Sequence, residues 1–112
     1  MTEYKISIVE VCRSNRVTRP DGKVVHDLII LHWDSADRII VDFGNILIAS
    51  VSFLDEAFGA LADEHATKEI SERVKLVNIT AFDKNLANGI YRSRQKQRQA
   101  QTSSHASVAS PL

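Results

Sequence analysis

Apolar residues recur along this chain at two spacings, and the spacing assigns most of the elements. Tyr4, Ile6 and Ile8 alternate with polar neighbours, which predicts a half-buried strand over residues 4–11. Residues 12–22 are polar, hold Pro20 and Gly22, and read as a connection. Over residues 21–33 two readings compete. Val24, Leu28 and Leu31 form a helical stripe with Val25 and Ile29 beside it, whereas Leu28-Ile29-Ile30-Leu31 also suits a buried strand. Thr18 as a cap and Pro20 in a first turn favour the helix. Asp34-Ser35-Ala36-Asp37 is a turn.

Ile39-Ile40-Val41-Asp42-Phe43 is almost unbroken in its apolar character, as a central strand covered on both faces should be. Leu54, Ala57, Phe58, Leu61 and His65 then fall on one face of a 3.6-residue period, which predicts a helix over residues 53–65. Val74, Leu76, Val77 and Ile79 predict another buried strand over residues 73–79. Phe82, Leu86 and Ile90 repeat every four residues with Ala87 and Tyr91 alongside, so a last helix starts near Asp83 and its stripe stops at Tyr91. This alternation predicts an α/β layered fold, a short mixed sheet with helices packed on it. Parallel pairing and right-handed connections are expected across the later crossovers.

A chain of 112 residues can bury one modest core, so residues 1–99 are expected to form one domain. Residues 100–112 are small and polar with one proline, and are expected to be a disordered tail. No apolar run approaches ~18 residues, so no membrane span is expected. The first residues, MTEYKISIVEV, lack an apolar core of the kind a signal peptide needs. With the lone Cys12, which has no partner for an internal disulfide, this points to a reducing cytoplasm.

Charge adds an asymmetry that hydropathy does not show. The chain has 14 basic and 14 acidic side chains; five of the cations and none of the acids lie after Asp83. An acidic body thus carries a basic end. Arg92, Arg94, Lys96 and Arg98 stand at alternate positions, so on a helix they spread around the surface. A nucleic-acid contact there is the alternative reading, although no aromatic residue follows Tyr91 to stack on bases.

The densest candidate chemistry is the stretch IASVSFLDE, residues 48–56. Ser52 suits an N-cap, with Asp55 three residues on as a short version of a capping box. Asp55 and Glu56 in the first turn meet the positive end of the helix dipole. Ser50 lies too early to be that cap, and either satisfies the loop or stands exposed. Both Ser50 and Ser52 are accessible targets for a kinase, and a phosphate there would sit close to Asp55 and Glu56, whose repulsion would make it a release switch. Elsewhere the chemistry is sparse. His26, His32, His65 and His105 have no metal-ligand spacing, and Gly44 and Gly59 form no phosphate loop, so neither metal nor cofactor is expected. The Ser-x-Ser junction lacks a hydrolase elbow; a triad of Ser50, His65 and an Asp can be drawn, but no spacing favours it. Asp42, at a strand end, either faces a ligand edge or holds the following turn.

Asp42-Phe43-Gly44-Asn45-Ile46, the junction Ile48-Ala49-Ser50-Val51-Ser52-Phe53 and the pair Asp55-Glu56 resemble the STAS-like family of unknown function. That family is similar to the STAS domain of sulphate transporters and bacterial anti-sigma factor antagonists, and the similarity spans roughly residues 3–92. In the antagonists a serine at the start of the equivalent helix is phosphorylated by a GHKL-type ATPase. Laid on this chain from Asp42 without a gap, that serine falls on Val51 and the next on Ser52. The resemblance therefore implies a small, non-enzymatic bacterial interaction module, paired with a GHKL-type ATPase or kinase. Its contact surface is expected at Ser50, Ser52, Phe53, Asp55 and Glu56, with Asp42 and Asn45 contributing.

Overall fold

The computed structural model describes residues 2–106, with side chains through Gln97 apart from Thr67. Strand β3 (Arg38–Asp42) takes the centre of a three-stranded sheet, flanked by β1 (Glu3–Ser7) and β5 (Val74–Val77). Both neighbours run parallel to it, with Ser7 and Val77 opposite Asp42. The unbroken apolar run of β3 is explained by this place: Ile39 and Val41 are fully buried and Ile40 is half-buried on the opposite face. A second, two-residue pair joins β2 (Arg16–Val17) to β4 (Leu47–Ile48), again parallel. The layered α/β architecture is as the sequence predicts, with parallel pairing in every strand pair described and not a mixed sheet. Pairs of two residues carry no periodicity, so β2 and β4 leave no signal.

The first strand is shorter than expected. It ends at Ser7, where its register with β3 runs out, and the chain coils into α1 (Ile8–Cys12) with Ile8 buried. Arg13 closes that turn in the left-handed region, at φ 53°. The ambiguous segment is the helix α2 (Arg19–Leu31). The Asp21 carboxylate accepts the Thr18 N–H at 2.9 Å, and Pro20 sits in the first turn. Its buried face differs from the stripe read off the sequence. Gly22, Val25 and Ile29 face inward, while Val24 is 40% and Leu31 71% exposed. Gly22 decides this rotation, because a Cβ there would stand 2.5 Å from the Phe53 carbonyl oxygen. The helix turns its smallest residue to the closest crossing.

The predicted helix over residues 53–65 is broken in two. Helix α3 (Ser52–Ala57) gives way at Phe58 to a 3-10 helix, Gly59–Asp63. Glycine is a weak helix former, and at Gly59 a Cβ would lie 2.7 Å from an Asp55 carboxylate oxygen and 3.2 Å from Ile90. The tighter turn keeps Leu61 and Ala62 buried beneath the last helix. Helix α4 (Thr67–Arg73) was not foreseen, since Ile70 is its one large apolar residue. Helix α5 (Ala81–Ala106) begins two residues before Asp83, whose N–H donates to the Thr80 hydroxyl at 3.1 Å. The tail expected from residue 100 thus starts within the span of α5, and residues 107–112 lie outside those described.

One core unites these elements: Ile6, Ile8, Val25, Ile29, Ile39, Val41, Phe53 and Leu54 are all fully buried. Phe43 meets Phe53 edge-on, with ring centroids 6.5 Å apart. Among the described residues no helix is long and apolar enough to cross a membrane.

Candidate functional site

Helix α3 does not spring straight from β3. Residues 43–51 intervene, including β4 and Asn45 in the left-handed region at φ 62°. The sharp turn at Asn45 explains how the chain reverses onto β2 before the helix starts; asparagine tolerates this conformation better than most residues.

At the junction itself the capping differs from expectation. Val51 holds the cap position with helical backbone and Ser52 is already the first helical residue. The cap residue makes no side-chain hydrogen bond, and Ser50, two residues ahead of Ser52, takes up the first helical N–H instead. Its hydroxyl accepts the Ser52 N–H at 3.3 Å, while the Ser50 and Val51 carbonyls take the N–H groups of Phe53 and Leu54 at 3.0 Å each. The two hydroxyl oxygens lie 2.6 Å apart, so each serine is half-buried against the other. Val51 between them is 53% exposed and stands as the apolar centre of this rim. Phe53 is not part of the rim: it is fully buried, so the expected contact residue is a core residue.

Asp55 does not reach back to the start of its helix. It pairs with Arg94 of α5, at 3.3 Å from the guanidinium Nε, and the same guanidinium lies 2.6 Å from Asp63. Glu56 pairs with Arg19 of α2 at 2.5 Å. Burial disfavours the Arg94 charge, but Asp55, Asp63 and Glu56 outweigh it and hold the group above its ordinary value. Two arginines from sequence-distant helices therefore clamp the acids of the junction. Arg19 gave no signal in the sequence, since helix-start arginines are common and its partner lies 37 residues away. Between the clamps lies a shallow cavity of about 400 Å³, lined by Arg19, Val51, Ser52, Asp55, Ser93 and Arg94.

Asp42 belongs to a separate corner. One carboxylate oxygen accepts the Gly44 N–H at 2.8 Å and the Asn78 amide at 2.9 Å; the other lies 3.5 Å from Lys5. The Asn78 and Gly44 hydrogen bonds, aided by Lys5, hold it below the usual carboxylate range. The turn-holding role read from the sequence is what these bonds describe. Asn78, itself left-handed at φ 55°, was not foreseen as its partner.

The basic row of α5 is divided. Arg92 and Lys96 are exposed, Arg94 is turned onto Asp55 and Asp63, and the Arg98 side chain lies outside those described. His26, His32 and His65 are engaged in contacts within the fold, and the His105 side chain lies outside those described. His65 stacks on Trp33 at 3.9 Å, His32 on Tyr4 at 3.5 Å, and His26 Nε2 lies 2.8 Å from Glu64. The His65 ring is thus engaged with Trp33. Among the described residues no group of His, Cys, Asp and Glu side chains is spaced to hold a metal ion.

Cys12 is half-buried, and its thiol lies 3.7 Å from the Asp21 carbonyl. Burial, then the charge of Asp21, push its pKa up to about 11. Since the thiolate is the nucleophile, alkylation by iodoacetamide should keep rising with pH to about 11 in the folded protein. In urea it should level off near the ordinary thiol value of about 8.5. Superimposable profiles in the two states would show that the fold does not protect this group.

Compared with known families, residues 21–84 match the model described as a STAS-like domain of unknown function. No curated protein and no solved structure matches.

Proposed function

Because this chain belongs to the family of STAS-like domains of unknown function, we propose that it is a non-enzymatic regulatory module, binding a protein partner through the Ser50–Glu56 rim. The partner is a bacterial GHKL-type ATPase or kinase, met in the cytoplasm. The observation that carries this reading is the composition of the rim. It combines a 53% exposed Val51, two mutually bonded hydroxyls, and acids already neutralised by Arg19 and Arg94. An apolar centre ringed by hydrogen-bonding and charged groups is the anatomy of a contact patch. The same serines are poor nucleophiles, since their hydroxyls are hydrogen-bonded together and His65, the base a triad would draw on, is stacked on Trp33.

The rim also suits a phosphate switch. Phosphorylation of Ser52 brings nearly two negative charges into the cavity that Arg19 and Arg94 line. The phosphate competes with Asp55 and Glu56 for both guanidinium groups. Because Arg94 ties α5 to α3 and to the 3-10 helix, that competition loosens the last helix as well as changing the charge of the rim.

The test is capture of purified GHKL-type ATPases by the wild-type protein and by Val51→Asp, Ser52→Glu and Asp55→Lys variants. The Val51 side chain is exposed and the polar contacts of the residue are those of its carbonyl, so Val51→Asp should weaken capture roughly tenfold or more without loss of fold, as loss of an apolar anchor would. Ser52→Glu should weaken it in the same direction. Undiminished capture by all three variants would remove this surface. The alternative, a nucleic-acid contact by Arg92, Lys96 and Arg98, requires steeply salt-dependent DNA or RNA binding that disappears when residues 92–112 are deleted.

A further inference from the structure

On another side of the molecule, α4, β5 and α5 enclose an open groove of about 390 Å³. Its floor is apolar: Phe58, Leu61, Val74 and Ala87 are buried. Ile70 and Leu76 form half-buried walls. Its rim carries Lys75, Lys84 and Arg92, all exposed, and no residue lining it is acidic. In a chain with equal numbers of acids and bases, this is a local excess of positive charge over an apolar floor. The Lys75 ammonium is anchored by the Ser71 carbonyl at 2.7 Å. Lys84 and Arg92 have no ion-pair partner among the described residues.

The shape of the groove follows from β5. Successive side chains of a strand point to opposite faces, so a groove touching Val74, Lys75 and Leu76 in succession runs along the strand's margin. Among the described residues β5 pairs with β3 alone, which leaves its outer edge as a template for another strand. An extended segment laid there alternates its side chains, one toward the apolar floor and the next toward the basic rim.

We propose that this groove takes an acidic, apolar segment of a partner protein, added in extended form along the outer edge of β5. Main-chain hydrogen bonds supply the attachment. Leu or Val side chains fill the space over Phe58, Leu61 and Ala87, and Asp or Glu side chains meet Lys84 and Arg92. The surface is distinct from the Ser50–Glu56 rim and does not depend on it.

The probe is a labelled peptide of about six residues, alternating glutamate with leucine or valine, titrated into the isotopically labelled full chain. Amide shifts should concentrate at residues 74–77 and around Ala87. The Lys84→Glu/Arg92→Glu variant, both sites being exposed, should keep its circular dichroism spectrum and bind at least roughly tenfold more weakly. The same peptide with lysine in place of glutamate should fail to bind. Four results overturn the proposal: no shift at about 1 mM peptide, equal binding by the double variant, equal binding of the lysine peptide, or shifts centred on residues 50–56. Binding of decanoate without the peptide assigns the groove to a small carboxylate and overturns it too, as does self-association that the double variant abolishes. Val51→Asp should leave peptide binding unchanged, so this reading and the partner-rim reading fail separately.

Discussion

Phe53→Ala should cost about 3–5 kcal/mol of folding stability, a large part of what a small domain possesses. The side chain is fully buried and meets Phe43 edge-on at 6.5 Å. Truncation removes both its apolar burial and its ring contact, and the rigid crossing of α2 over α3 leaves little freedom for the cavity to collapse. Urea unfolding followed by far-UV circular dichroism measures this directly. The value also separates two roles that the sequence ran together. A contact residue would lose partner capture with stability intact, as expected of Val51→Asp. Phe53→Ala should do the reverse, retaining capture at temperatures where enough protein stays folded. A stability change below about 1 kcal/mol would mean that the junction is not seated in the core as described.

Phe53 shows where the sequence was legible. Long-range burial appears as periodicity when a segment is long enough, so the central strand and the last helix were readable, whereas over residues 21–33 the apolar pattern suited helix and strand alike and the cap at Thr18 with Pro20 favoured the helix. Three features were not readable. The buried face of α2 was set by Gly22, which adds no hydropathy to a stripe and acts only through its closeness to α3. The break at Gly59 looked continuous because a 3-10 turn keeps Leu61 and Ala62 inward nearly as well as an α-helix does. The clamp on the junction acids needs Arg19 and Arg94, which approach only after α2 and α5 have docked. The serines illustrate the same limit at short range. The capping pattern favours Ser52 and sets Ser50 too early, yet the turn geometry, not the residue type, decides that Ser50 accepts the Ser52 N–H.

Gly22→Ala is the sharper test of how this site is positioned, because two effects oppose each other there. Alanine is a better helix former by about 1 kcal/mol, which alone would stabilise α2. Against it, the new methyl would lie 2.5 Å from the Phe53 carbonyl oxygen and 3.0 Å from the Glu56 Cβ. The first of these atoms is backbone and cannot rotate away, so one helix must move. Overpacking of this kind costs about 1–3 kcal/mol when side chains can yield, and more is expected here. We therefore expect net destabilisation of at least about 2 kcal/mol, and failure to fold with Gly22→Val. Arg19→Ala supplies the comparison. It removes the exposed pair with Glu56, and such pairs contribute no more than about 1 kcal/mol. Destabilisation at Gly22 well above that at Arg19 would show that close backbone approach, more than charge, holds α2 against α3 and so holds Arg19 over the rim. If Gly22→Ala proved neutral or stabilising, the two helices would be free to separate, and Arg19 would have no fixed place beside Glu56.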